Sequence, residues 1–125
     1  MKFRIETARD FEDNGKKLPM YIKTYMNRHK LTYEDSKNLG VFVMDIDADT
    51  PPQEISDLMM VLRNCPSIYI VVINIAGEDS DLDQWDAIWK LVNDSCYRRH
   101  HYKRINGGYM EVWSRPPIRF NSEVL

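Results

Sequence analysis

The alternation of apolar and polar residues predicts strands separated by helices. Residues 1–6, MKFRIE, place Phe3 and Ile5 on one face of a short strand. Residues 41–46, VFVMDI, predict a second strand, and residues 68–75, IYIVVINI, form an uninterrupted apolar run rich in β-branched residues. Apolarity on both faces is typical of a central strand covered by helices, so we expect the second and third strands to run parallel to each other.

Three further segments show apolar residues at helical spacing. The first starts at Pro19, which suits a first helical position because proline has no N–H to leave unpaired. The second lies between the two apolar strands, where Thr50 and Gln53 stand at capping-box spacing. The third begins at Asp81 and ends in the basic run 98–101, whose charge complements a helix C-terminus.

Turn and cap residues divide the rest of the chain. Thr7 and Asp10 predict the start of a short helix that the Asn-Gly pair at 14–15 ends. The Asn-Gly-Gly turn at 106–108 separates HYKRI from YMEVW, which predicts a β-hairpin because such turns need positive φ. The proline-broken tail from about residue 114 is expected to be irregular.

The fold class that follows is a single small α/β domain over residues 1–125. We expect a β-α-β-α-β core with parallel central strands covered by helices, an N-terminal strand plus helix, and a C-terminal β-hairpin. A chain of 125 residues suits one hydrophobic core.

Composition excludes several classes of protein. No segment approaches the roughly 18 apolar residues of a membrane helix, and the N-terminus turns charged before a signal peptide could develop. We therefore expect a cytoplasmic protein with no membrane partner. Cys65 and Cys96 are too few for a disulfide scaffold and lack metal-binding spacing.

The net charge of −2 conceals a segregation of charge along the chain. Residues 45–94 contain eleven Asp and Glu against Arg63 and Lys90, whereas the segments before and after them carry net positive charge. Such segregation bears on steering and on the choice of partners rather than on the fold.

Acidic residues follow both apolar strands, at the end of a parallel sheet where ligands bind in α/β proteins. Asp45 and Asp47 come after the first of these strands, and Glu78 and Asp79 come after the second. Carboxylates that converge there would suit Mg²⁺. This hypothesis implies an enzyme of phosphoryl transfer or phosphodiester hydrolysis. The alternative is that these acids only end strands and start helices, where negative charge is favourable.

Residues 98–109, RRHHYKRINGGY, form the second candidate site. Basic side chains interleaved with tyrosines suit nucleic-acid phosphates and bases, or an acidic protein surface. The same charges also deter aggregation of an edge strand. The candidate partner-binding residues are Arg98, Arg99, His101, Lys103, Arg104 and Tyr109.

No complete catalytic motif is present: GxxxxGK[ST], GxGxxG, GxSxG and HExxH are all absent. The sequence therefore favours a small binding or regulatory protein that acts through its charge-polarised surface, with a protein as the expected partner. A nucleic-acid partner, a homo-oligomer and the magnesium-dependent enzyme stay open as alternatives. No catalytic residue is assigned, and Mg²⁺ is the single candidate cofactor.

Overall fold

The structure is a computed structural model that describes residues 2–47, 50–65, 67–76, 97–105 and 108–117. Five strands and four helices lie within these residues. In chain order they are β1 (Lys2–Thr7), α1 (Ala8–Asp13), α2 (Met20–His29), α3 (Tyr33–Ser36), β2 (Gly40–Ile46), α4 (Pro52–Arg63), β3 (Ile68–Ala76), β4 (Arg98–Ile105) and β5 (Gly108–Ser114).

The strands form one mixed sheet in the order β1-β2-β3-β5-β4. β2 and β3 are adjacent and parallel, which confirms the prediction for the two apolar runs. β1 pairs with β2 antiparallel, and β5 pairs antiparallel with both β3 and β4. The expected β-α-β-α-β core is therefore confirmed only in part: among the described strands, just two are parallel. The second crossover helix expected from Asp81 lies outside the described residues.

Helices cover both faces of the sheet, which explains the apolar character of β2 and β3 on both sides. Phe42 and Met44 of β2 pack with Leu62 of α4 on one face. Val41 and Val43 point to the other face. There they pack with the α2 residues Ile22 and Tyr25, both almost fully buried. Because successive strand residues alternate between the faces, both sets must be apolar to fill two cores.

The first short helix begins and ends as the sequence predicts. The Thr7 hydroxyl accepts a hydrogen bond from the Asp10 backbone N–H, and the Asp10 carboxylate accepts one from the Thr7 N–H. This capping box satisfies two backbone donors at the start of α1. Gly15 follows the helix with φ of +66°, a conformation that glycine adopts without steric cost.

Two helices have a different N-cap from the one that the sequence predicts. Pro19 is the N-cap of α2 rather than its first residue. α4 begins at Pro52 with Pro51 as its N-cap, and no side chain caps it. Thr50 instead bonds with Asp47, so the predicted capping box with Gln53 is wrong. Prolines at the cap need no side-chain bond to set the extended entry of the chain.

One helix, α3, was not predicted from the sequence. α3 occupies four residues of a stretch whose polar composition indicates a loop, and a capping box between Thr32 and Asp35 starts it. Its Ser36 hydroxyl donates to the Thr32 carbonyl at 2.7 Å and is buried. A helix of one turn has no apolar periodicity, so its capping residues were its only sequence signal.

The hairpin forms at the expected place, with Ile105 opposite Gly108. Its first strand is longer than predicted, because Arg98 already pairs with Ser114. The run 98–101 therefore begins a strand, and its expected position at a helix C-terminus is wrong. In this run, hydrogen bonds between the backbones of β4 and β5 replace those expected within a helix.

No helix in the described ranges is both long and apolar enough to cross a membrane.

Candidate functional site

Asp45 lies at the carboxyl end of β2 and is held by two polar neighbours. Its Oδ1 accepts a hydrogen bond from Asn74 Nδ2 of β3 at 3.0 Å. Its Oδ2 lies 3.8 Å from Arg4 Nη1 of β1. The carboxylate thus contacts side chains of the two strands that flank β2. Its side chain keeps 44% of its surface exposed, so the Arg4 contact is solvent-screened and weak.

Asp47 organises the turn that leads from β2 to α4. Its carboxylate Oδ1 accepts a hydrogen bond from the Thr50 hydroxyl at 3.1 Å, and the same hydroxyl accepts one from the Asp47 N–H. Its carbonyl accepts a third bond from the Thr50 N–H at 3.1 Å. These bonds are local, and a structural role of this kind is common for Asp in turns.

The predicted magnesium site is only half visible. Asp45 and Asp47 have the protein contacts given above, whereas Glu78 and Asp79 lie outside the described residues. In the part of the chain that the structure describes, no three His, Cys, Asp or Glu side chains are grouped as metal ligands. The magnesium site therefore stays a prediction that needs residues 78 and 79.

The basic candidate residues lie mainly on β4, the last strand at one edge of the sheet. Four of its eight residues are Arg or Lys, two are His, and none is acidic. Within the described sheet, β4 pairs with β5 on one side and with no strand on the other. The strand thus combines a concentrated positive charge with an outer side on which no described strand pairs.

The register of the hairpin distributes the basic positions over both of its sides. His101 and Lys103 lie opposite Val112 and Met110, whereas Arg99 and Arg104 lie opposite Trp113 and Tyr109. The basic positions of β4 thus fall at both odd and even positions of the strand register.

A register shift interrupts this edge between Arg99 and His101. The extra residue is His100, which has no partner of its own in the register, whereas the four pairs from Tyr102 to Ile105 are regular. A bulge twists and blunts an edge strand. Regular pairing with an added strand is therefore favoured at residues 101–105 and disfavoured near His100.

Arg99 is anchored by a buried acid of the neighbouring strand. Its Nη1 lies 3.2 Å from Glu111 Oε1. The Glu111 side chain has no exposed surface, whereas the Arg99 side chain keeps 48% exposed. A buried carboxylate needs a cation or several donors to offset its lost hydration. Arg99 therefore supports the hairpin as well as adding charge to its edge.

Arg115 and two tyrosines fix the start of β4 and the end of β5 against β3. Arg115 Nε donates to the Ile68 carbonyl at 2.9 Å, and the Tyr97 hydroxyl donates to the same oxygen at 2.6 Å. The guanidinium lies 4.9 Å from the Tyr69 ring centre and 5.5 Å from that of Tyr97. Burial raises the pKa of Tyr97 to about 12. These contacts hold the residues that flank β4 and β5 against β3.

Glu111, Tyr97 and Arg115 were not predicted from the sequence. A weak signal for Glu111 existed, because it is the one charged residue of YMEVW and must find a partner if that strand is buried. No comparable signal marked Tyr97 or Arg115, since their partners are 29 and 47 residues away.

Comparison of the chain with protein-family models, with curated proteins and with solved structures gave no significant match.

Proposed function

We propose that this protein is a binding protein that holds an acidic, extended segment of a protein partner along the outer edge of β4. The observation that carries the proposal is the coincidence of the sheet edge with the most basic strand. An extended peptide added to such an edge gains main-chain hydrogen bonds, and its side chains set the specificity.

Charge favours an acidic partner. β4 has Arg98, Arg99, Lys103 and Arg104 without any acid. Positive charge concentrated on one edge speeds association with a negative segment and disfavours basic ones. It also repels a second copy of β4, which protects the exposed edge from pairing with itself.

The register favours a protein strand over a nucleic acid. Basic positions on both sides of the hairpin would flank the side chains of an added strand, which also alternate between two sides. A nucleic acid that lies on a sheet instead needs its cations and stacking aromatics on one face. The regular stretch 101–105 is the segment that we assign to the docked strand.

A designed peptide tests the proposal directly. The probe is an eight-residue peptide of alternating Val and Glu, and the matched control alternates Val and Lys. Binding is followed by fluorescence anisotropy at several salt concentrations, and hydrogen exchange reports the amides of β4. We expect the acidic peptide alone to bind, with an affinity that falls as salt rises, and to slow exchange at residues 101–105.

Variants separate the edge from general electrostatics. Replacing Lys103 and Arg104 by Gln should weaken binding of the acidic peptide at least tenfold. The control changes Lys16 and Lys17, exposed residues between α1 and α2, to Gln and removes the same charge. Equal losses in both double variants would contradict an edge site. Tighter binding of a single-stranded oligonucleotide than of the acidic peptide would overturn the choice of a protein partner.

A further inference from the structure

A pocket of about 220 Å³ lies between α2 and the sheet, on the face opposite α4. Met20, Thr24 and Arg28 line it from α2, and their spacing of four residues places them on one stripe of the helix. The sheet contributes residues of β3, β5 and β4. α2 therefore leaves space above β5, although its Ile22 and Tyr25 seal the core beside it.

The inner wall of the pocket is apolar. Ile70 of β3 has no exposed surface and Val112 of β5 keeps 8%, and Met110 lies beside them as a partly buried residue. Met20, by contrast, is 74% exposed at the pocket. A flexible thioether at such a place adapts to the shape of a bound molecule.

The charged lining that the structure describes is positive. Arg28 and His100 line the pocket, and no Asp or Glu among the described residues does. Arg28 is exposed, and among the described residues no carboxylate lies within ion-pair distance of it. Burial lowers the pKa of the His100 imidazole, and the charge of Arg28 lowers it further. A lowered pKa favours the neutral imidazole of His100, whereas the Arg28 guanidinium keeps its full charge.

Ser114 supplies an unused polar group. Its side chain lines the pocket and only 3% of the residue is exposed. Its hydroxyl is buried, and no hydrogen-bond partner for it exists in the described part of the chain. A buried hydroxyl without a partner is uncommon in folded proteins, because the lost bond to water is not replaced.

We propose that this pocket binds a small apolar monoanion, an aromatic or short branched carboxylate, with its charge on Arg28 and its hydrocarbon part against Ile70, Met110 and Val112. An apolar cavity of about 150 Å³ holds benzene, so this pocket has room for one ring and a carboxylate. Among the described lining residues, a second negative charge would find no second Arg or Lys. The site is independent of the proposed strand-binding edge, since its charge and its apolar wall come from α2, β3 and β5.

Benzoate is the probe that tests this site, and benzamide is its neutral control of the same shape. Titration is followed by NMR of the methyl groups of Met110, Val112 and Ile70. We expect saturable shifts of these methyls with benzoate at millimolar concentrations, and at least tenfold weaker binding of benzamide and of the dianion terephthalate. Equal affinity for benzamide, or no saturable shift with benzoate, would overturn the proposal.

Three variants locate the site. Arg28→Gln should weaken benzoate at least tenfold, whereas Lys23→Gln, which removes an exposed charge from the same helix, should change the affinity less than twofold. Thr24→Phe fills the pocket from an exposed helical position and should abolish the shifts while the rest of the spectrum stays folded. Unchanged binding in Arg28→Gln or Thr24→Phe would overturn the assignment.

Discussion

Arg99 Nη1 lies 3.2 Å from the carboxylate of Glu111, which is fully buried while its partner is half exposed. Losing the cation would leave a buried charge with fewer partners. We expect Arg99→Gln to lower the free energy of unfolding by about 1–3 kcal/mol. Arg98→Gln, one residue earlier and exposed, should cost less than about 0.5 kcal/mol. Urea unfolding at neutral pH measures both values.

A double-mutant cycle with Glu111→Gln identifies the pair as the cause. If the ion pair accounts for the loss, Arg99→Gln should cost much less in the Glu111→Gln background than in the natural protein. Independent, additive losses would show that Arg99 stabilises the hairpin through its packing instead.

The raised pKa of Tyr97 makes the stability of the fold decrease at alkaline pH. Burial raises its pKa to about 12, whereas an unfolded chain has a tyrosine pKa near 10. The protonated phenol therefore favours the folded state. As pH rises above about 10 the unfolded chain releases this proton first, so the stability falls until pH passes the folded value.

Tyr97→Phe should flatten part of the decline in the free energy of unfolding between pH 10 and 12. The rest of the slope remains, because burial also raises the pKa of Tyr21 and Tyr25 and the hydrogen bond to Glu12 raises that of Tyr33. At neutral pH the variant should lose about 1 kcal/mol with its hydrogen bond to the Ile68 carbonyl. Urea unfolding at a series of pH values, with tyrosinate absorbance as the titration signal, gives both results. An unchanged slope would exclude Tyr97 as a source of the decrease at alkaline pH.

Gly108 is required by the close approach of β5 to β3. A Cβ at this position would lie 1.9 Å from the Ile75 carbonyl oxygen, which no side-chain movement can relieve. Gly108→Ala should lower the free energy of unfolding by roughly 2–4 kcal/mol. Hydrogen exchange of the β3 amides should accelerate in the same variant, because the end of the β3-β5 pairing opens.

Ala variants of two other glycines provide a comparison for the stability cost at Gly108. At Gly40 a Cβ would lie 2.7 Å from the Ser67 carbonyl oxygen, so Gly40→Ala should cost less than Gly108→Ala. Gly15 faces open space but has φ of +66°, so its Ala variant should cost only about 1 kcal/mol of backbone strain. A reversed order of Gly108 and Gly40 would contradict the close approach at the hairpin.

Local signals in the sequence predicted most of the described elements. Thr7 and Asp10 start α1, and the Asn-Gly pair ends it, because capping depends on residues three or four places apart. The apolar run of β3 indicated burial on both faces, and the two cores bear this out. In each case the physical cause lies within the segment itself.

The order of the strands in the sheet depends on contacts between distant segments, which no single segment of the sequence reveals. The Asn-Gly-Gly turn indicates that β4 and β5 pair. It does not determine which of the two strands lies next to β3. The structure places β5 inside and the more basic β4 at the edge. Burial provides the reason, since YMEVW has one charge and RRHHYKRI has four Arg or Lys.

Of the two candidate sites, the basic strand was partly predicted from the sequence and the pocket was not. Basic side chains on residues 98–104 were predicted as partner-binding from composition, and an edge strand was considered only as an alternative explanation of their charge. The pocket beside Arg28 was invisible in the sequence, because α2 and β5 line it together from positions more than 80 residues apart. A pocket of this kind arises from how a helix lies on the sheet, which periodicity alone does not set.

The inner position of β5 also sets the order in which the fold can assemble. β1, β2, β3 and α4 all precede residue 77, and the β1-β2 and β2-β3 pairings involve no later residue. β4 has no neighbour other than β5 in the described sheet, so it cannot join until residues 108–114 exist. Until then, among the described strands, neither β3 on that side nor β4 has its partner. β5 is therefore the strand that completes the described sheet, although it follows β4 in the chain.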